Sequence, residues 1–99
     1  MILRIVKMSF KPECTIDFEN IFKEVHPLIE NFEGCNGVKL LKDKNNPCIY
    51  FTHSYWQNEE FLNNYRHSEL FNFTWQKTKI LFNDKPLAWS LSEINVSKN

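Results

Sequence analysis

The chain has 99 residues, which is enough for one domain with a single hydrophobic core. Its 12 Lys and Arg residues balance 12 Asp and Glu residues, so no net positive field exists to attract nucleic acid. No stretch has the ~20 apolar residues that span a membrane, and the N-terminal segment lacks the features of a signal peptide. The three cysteines are scattered, as is typical of reduced thiols. We therefore expect a cytoplasmic single domain over residues 1–99, ordered from about 2 to 96, with no nucleic-acid and no membrane partner.

Four segments have the alternation and the aromatic or β-branched content of strands: residues 2–11, 37–43, 48–56 and 87–96. The first is apolar on both faces, since Val6 and Met8 point one way while Leu3 and Ile5 point the other way. A strand of this kind is expected to contact two different apolar environments, one on each side of its sheet.

The first helix is predicted from apolar residues that recur at spacings of three and four over residues 18–32. Thr15 or Asp17 is expected to cap its N-terminus, because either side chain can accept a hydrogen bond from an orphan backbone N–H. Pro27 lies inside the pattern and is expected to bend or interrupt the helix.

The second helical region follows the third strand. Asn58 is expected to cap a short helix whose first turn carries two acidic residues, which suits the helix dipole. Ser68 is predicted to be a second N-cap or a kink. The helix after it, over residues 69–82, buries a stripe that includes Phe71 and Trp75.

The element order βαββαβ predicts an α+β, ferredoxin-like fold, in which an antiparallel four-stranded sheet carries its helices on one face. The other face is then open, and Leu3, Ile5, Leu41 and Tyr50 are expected to project from it together, register permitting. Several hundred Å² of exposed apolar surface is unusual for a monomer. A symmetric homodimer through the open sheet face is therefore expected, the alternative being scattered surface hydrophobes.

Several kinds of site have no signature in the sequence. Glycine occurs only at positions 34 and 37, so phosphate-binding glycine loops are absent. No HxxxH, HExxH or CxxC spacing occurs, and no metal site is expected. No GxSxG nucleophile motif occurs either.

His53 is the candidate catalytic residue. It lies within the third strand between Phe51 and Tyr55. If it faces the helices, its imidazole is buried in an aromatic interior and can act as a general base or orient a substrate hydroxyl. The alternative is a structural histidine held by hydrogen bonds.

Aromatic residues and one cation are candidates for binding a flat ligand. Trp56 ends the third strand and can roof the space between sheet and helices, and Trp75 points inward from the last helix. Core packing is the usual role of buried aromatic residues in a small domain and is the alternative for both. Arg66 adjoins Tyr65 and can pair with a ligand carboxylate at a pocket mouth, or with a nearby glutamate in solvent.

The segment FTHSYWQNEEFLNNYRHSELF, followed by LFNDKPLAWS, resembles the antibiotic biosynthesis monooxygenase family. FKPE at residues 10–13, the first helix and the Gly34/Gly37 turn are also similar, so the likeness covers nearly the whole chain. The positions that match the family pattern are Trp56, Glu59, Glu60, Tyr65, Ser68 and Phe71.

This resemblance implies a dimeric α/β-barrel, in which two protomers pack their sheets back to back and each holds a pocket between sheet and helices. The best-studied members oxidise polycyclic phenols with O₂ and use no metal or flavin, since the deprotonated substrate supplies the electrons. We therefore expect a cofactor-independent monooxygenase acting on a small aromatic or quinol-like substrate, with His53 as base or orienter. The expected substrate-binding residues are Trp56, Trp75, Tyr65, Phe71 and Arg66.

Alternatives of other classes remain within the same fold. One is a non-catalytic dimer that binds a small ligand or serves a stress response, and others are an isomerase or a quinol oxidase. The haem-degrading branch uses an Asn on the first strand, a Trp after the third and a His on the last helix. Only Trp56 matches that set, because the other positions fall near Val6 or Lys7 and at or beside Trp75, which disfavours haem degradation. No cofactor is expected.

Overall fold

The computed structural model describes residues 1–96, and the tail predicted to fray, residues 97–99, lies outside the described residues. The strands are β1 (Ile2–Ser9), β2 (Cys35–Lys42), β3 (Ile49–Trp56) and β4 (Leu87–Ser92). The α-helices are α1 (Thr15–Glu30), α2 (Glu59–Arg66) and α3 (Glu69–Lys79). The strands form an antiparallel sheet in the order β2-β3-β1-β4. The predicted ferredoxin-like α+β fold is confirmed, and β4 ends four residues earlier than predicted.

The start and the end of α1 differ from expectation. A short 3-10 turn, Pro12–Cys14, leads directly into the helix, and no side chain caps it, so the predicted cap by Thr15 or Asp17 is wrong. The Thr15 hydroxyl instead lies 3.5 Å from the Pro12 carbonyl, to which it donates. The helix also continues through Pro27, because only one turn follows it and the Pro27 carbonyl still accepts a bond from the backbone N–H of Asn31.

The two predicted caps in the second helical region are confirmed. The Asn58 side chain accepts a hydrogen bond from the Phe61 N–H at 3.1 Å, and the Ser68 hydroxyl oxygen accepts one from the Phe71 N–H at 3.1 Å. The Ser68 hydroxyl also donates to the Tyr65 carbonyl at 2.6 Å. Ser68 therefore joins the end of α2 to the beginning of α3 and fixes the direction of α3 relative to α2.

Gly34 positions α2 against the turn that precedes β2. Its φ is +86°, in the left-handed region that favours glycine. A Cβ atom added there would overlap the side chain of Phe61. The Gly34 carbonyl also accepts a hydrogen bond from the Gln57 N–H at 2.8 Å, which joins the end of β3 to the same turn.

The strand register separates two sheet faces. Leu3 pairs with Tyr55 and Ile5 with His53, so these residues share the open face. Tyr50 does not join them as predicted. It points toward the helices, is 1% exposed, and its hydroxyl donates to Glu19 of α1 at 2.5 Å.

The core has two buried clusters on the helix-facing side of the sheet. One contains Met8, Phe10, Phe18 and Tyr50, and the other contains Val25, Ile29 and Val38. Among the described residues, no helix is both long enough and apolar enough to cross a membrane.

We expect Ser68→Ala to lower the free energy of unfolding by about 1–2 kcal/mol, because the cap of α3 and the bond to α2 are both lost. Urea denaturation followed by circular dichroism measures this loss. Ser92→Ala, at the exposed end of β4, is the matched control and should change stability by less than about 0.5 kcal/mol. Equal stability of the two variants would contradict the role given to Ser68.

Candidate ligand-binding site

A cavity of about 370 Å³ lies between the helix-facing side of the sheet and the helices. This volume is within the ~300–1,000 Å³ typical of ligand pockets. Most of its lining is apolar, with contributions from β1, α1 and α3. Representative lining residues are Val6, Met8, Phe22, Val25, Phe71 and Trp75.

Four aromatic rings in contact run along one side of the cavity, and we call them the aromatic row: Trp56, Tyr65, Phe71 and Trp75. Tyr65 meets Phe71 edge to face with ring centroids 5.3 Å apart, and Phe71 stacks on Trp75 at 5.8 Å with an angle of 9° between the rings. Phe71 and Trp75 share a face because they are four residues apart on α3. Three expected binding residues, Tyr65, Phe71 and Trp75, line the cavity.

Trp56 is not in the lining. Its ring is fully buried and stacks behind Tyr65, with centroids 4.8 Å apart. Its indole N–H donates to the Ser54 hydroxyl at 2.9 Å, and Ser54 itself lines the cavity. Trp56 therefore supports the wall from behind.

His53 lies on the opposite side of the sheet from the cavity. It pairs with Ile5 of β1 and Lys39 of β2, whereas its neighbours Thr52 and Ser54 face the cavity. The catalytic interpretation of His53 depended on its facing the helices. That condition is not met, because side chains alternate along a strand and Thr52 and Ser54 take the inward positions. An imidazole so placed cannot act as base on a ligand in this cavity.

Arg4 is a cavity residue that we did not predict. It lies on the helix-facing side of β1, paired with Ser54, and its Nη1 donates to the Ser90 hydroxyl at 2.9 Å. Burial, together with the positive charge of Arg66, lowers the pKa of Arg4. The signal was present in the sequence, since strand alternation puts position 4 on the same face as Val6 and Met8.

Arg66 also lines the cavity, at the C-terminal end of α2. The ion pairs found within residues 1–96 join His26 to Glu30 and Lys42 to Glu19. Neither pair includes a cavity residue, and the alternative pairing of Arg66 with a nearby glutamate does not occur among them. The cavity thus carries two positive charges and, in the part of the chain that the structure describes, no lining carboxylate.

Two further hydroxyl groups of the lining, those of Tyr65 and Thr74, can serve a ligand. The Tyr65 phenol is protonated at neutral pH, as phenols ordinarily are, and can donate; burial, and to a smaller extent Cys35, raises its pKa further. The Thr74 hydroxyl is buried and has no hydrogen-bond partner among the described residues. No group of three or more His, Cys, Asp or Glu side chains that could hold a metal ion is found within residues 1–96.

These groups determine what the cavity can do chemically. The described lining contains no His, Asp, Glu, Lys or Cys, so it offers no ordinary general base. It can exclude water, hold an aromatic ring against the aromatic row, donate hydrogen bonds to a ligand oxygen, and attract negative charge.

Comparison of the sequence with models of protein families shows to which family this chain belongs. A family model described as antibiotic biosynthesis monooxygenase matches residues 1–74. The chain belongs to the antibiotic biosynthesis monooxygenase family. The match spans the aromatic row from Trp56 to Phe71, and both cavity arginines lie within it.

Solved structures agree with this fold. An antibiotic biosynthesis monooxygenase of known crystal structure superposes with a TM-score of 0.90 at 15% identity, covering 96% of this chain and 100% of its own. A conserved protein from Methanosarcina mazei gives 0.88 at 21% identity, covering 95% and 94%. Rv0793 from Mycobacterium tuberculosis gives 0.87 at 10% identity, covering 98% of both chains. Identities this low establish the fold alone, and no curated protein matches the sequence.

The buried phenol of this family member predicts a pH dependence of stability. Because the pKa of Tyr65 is raised in the folded state, the unfolded chain ionises first, at about pH 10. The stability is therefore complete below that pH and is lost as the pH rises toward the folded pKa. We expect wild type to lose about 1 kcal/mol more than Tyr65→Phe between pH 8 and pH 11. Urea titrations at several pH values measure the difference, and a difference that is constant with pH would contradict it.

Proposed function

We propose that this member of the antibiotic biosynthesis monooxygenase family is a cofactor-independent monooxygenase that oxidises a small aromatic or quinol-like substrate with O₂. The observation that carries the proposal is the 370 Å³ cavity with Tyr65, Phe71 and Trp75 in its wall. An aromatic substrate can stack on flat aromatic rings, whereas aliphatic side chains offer no such stacking contact. The family description supports the reaction type, and the aromatic wall supports the substrate class.

The cavity volume limits the substrate to a few fused rings at most. An apolar cavity of about 150 Å³ is enough to bind benzene. A cavity of about 370 Å³ is therefore matched to a ligand of about two rings with a polar substituent.

The reaction needs no external reductant when the substrate supplies the electrons. Oxidation of a ring CH₂ group to a carbonyl by one O₂ forms one C=O bond, and the second oxygen atom leaves as water with both hydrogens. This is a four-electron oxidation of the substrate, and O₂ accepts all four electrons. The protein's part is to bind the substrate, desolvate it and favour its deprotonated form.

The residues of the cavity suit that part. The Tyr65 phenol, protonated at neutral pH, donates a hydrogen bond to the oxygen anion that forms when the substrate loses its proton. The Thr74 hydroxyl, which lacks a partner among the described residues, is a second donor. Because the described lining offers no base, the proton passes to solvent at the open side of the cavity.

Oxygen consumption with a panel of anthrones and hydroquinones tests this activity. We expect turnover by wild type, and a kcat/KM about 3- to 10-fold lower in Trp75→Leu, which keeps apolar volume but removes the ring that stacks on a substrate. Phe73→Leu is the matched control, since Phe73 lies two residues away on the same helix and is 53% exposed. It should retain wild-type activity.

Two outcomes would count against the proposal. If no member of the panel consumes oxygen although ligands bind, the protein is a binding module of the same fold. If Trp75→Leu turns over as fast as wild type, the cavity is not the place of reaction.

We also propose that the protein is a homodimer through the open sheet face. Leu87, Trp89 and Leu91 of β4 project there and are each between 44% and 48% exposed, next to Leu3 and Ile5 of β1. A contiguous apolar surface of this kind is more often an interface than a solvated face. The three cysteines are unpaired, which supports a reducing compartment such as the cytoplasm.

Light scattering tests the assembly. Wild type is expected to be a dimer at micromolar concentration, and Trp89→Glu is expected to be a monomer because it places a charge in the interface. Phe73→Glu, on the outer surface of α3, should leave the dimer intact. A monomeric wild type would contradict the proposal.

A further inference from the structure

We infer that Arg4 and Arg66 form an anion subsite in the cavity, and that the ligand is an aromatic carboxylate whose ring lies on the aromatic row. This inference deepens the proposed function by naming the substrate class, and in that respect it rests on it. Its carrying observation is that two arginines, Arg4 and Arg66, line one small cavity.

Arg4 is an unusual residue for its position. It lies on the helix-facing side of the central strand β1, where Val6 and Met8 contribute to an apolar surface. An arginine there is half-buried, so it gives up part of its hydration. A neutral or apolar residue would satisfy packing alone, which indicates that the charge itself has a use.

The two charges are not compensated within the described chain. The one hydrogen bond of the Arg4 guanidinium found among residues 1–96 goes to a neutral hydroxyl, that of Ser90. Neither Arg4 nor Arg66 takes part in an ion pair among the described residues. Burial, together with the like charge of Arg66, lowers the pKa of Arg4, so its guanidinium loses hydration and is repelled by the second arginine. An anion placed between them would remove both penalties.

The chemistry of the cavity specifies what kind of anion fits. A guanidinium presents a planar fork of donors that matches a carboxylate, and such pairs are among the stronger hydrogen bonds in proteins. The remaining walls are apolar, with Phe71 and Trp75 as flat surfaces. A ligand that satisfies both parts has a ring system at one end and a carboxylate at the other. Within the proposed class of aromatic or quinol-like substrates, a member that carries a carboxylate would pair with the two arginines, which a member without one would not.

A matched pair of probes tests the subsite by binding alone. 2-Naphthoate and 2-naphthamide have the same rings and nearly the same shape, but only the first is an anion. We expect wild type to bind 2-naphthoate at least about 10-fold more tightly than 2-naphthamide, as measured by isothermal titration calorimetry. Arg4→Met and Arg66→Met should each lose most of this preference and keep the affinity for 2-naphthamide.

Controls separate the subsite from general charge and from misfolding. Lys77→Met removes a cation on the outer surface of α3, where Lys77 covers the ring of Phe73, and should keep the full preference. Arg66 is exposed, so Arg66→Met tests the subsite even if Arg4→Met does not fold. Unchanged binding of 2-naphthamide shows that the cavity of a variant is intact.

The outcomes for the subsite and for the activity are distinguishable. Equal affinity of wild type for the two probes, or binding of neither, would overturn the inference, and so would a preference that survives in both arginine variants. A preference for the carboxylate without oxygen consumption by any aromatic acid would keep the subsite and refute the monooxygenase proposal.

Discussion

The contacts of Tyr65 with the rings on either side hold the site together. Tyr65 lies in the last turn of α2, stacks on Trp56 of β3 at 4.8 Å and meets Phe71 of α3 at 5.3 Å. Ser68 ties the two helices together at the same place, through the Tyr65 carbonyl and the Phe71 N–H. The sheet, α2 and α3 are therefore joined through one side chain, and the wall of the cavity follows from that junction. Removing any of these rings would change the packing and the cavity together.

The alternation of side chains along the central strands gives the sheet two chemically different faces. The side chains of Arg4, Val6 and Ser54 face the helices and line the cavity, whereas Ile5 and His53 face the other way. The apolar open face is suited to a second copy of the chain, and the mixed, positively charged inner face is suited to a ligand. The proposed ligand site and the proposed dimer interface thus lie on opposite sides of one sheet.

Capping and helical periodicity predicted much of the fold from short segments of sequence. The predictions failed where they depended on which face of the sheet meets the helices. The cap at Ser68 and the inward position of Trp75 depend on neighbours within one or two turns, so the sequence was sufficient for both. Tyr50 was placed on the wrong side and the side of His53 was left open, because alternation says which residues share a face but not which face meets the helices. Arg4 was missed although alternation groups it with apolar residues. A single charged residue in an apolar pattern does not by itself indicate a binding site, and the cavity was needed to show its role.

The tryptophans provide the most direct test, since they occupy three different environments. Trp75 lines the cavity, Trp56 is buried behind its wall, and Trp89 lies on the open sheet face. Their indole N–H signals can be followed by ¹H–¹⁵N NMR during a titration with 2-naphthoate, after assignment with Trp→Phe variants. If the ligand binds in the cavity, we expect the Trp75 signal to shift most and the Trp89 signal not to move. A shift of Trp89 with Trp75 unchanged would place the ligand on the open sheet face and contradict the account.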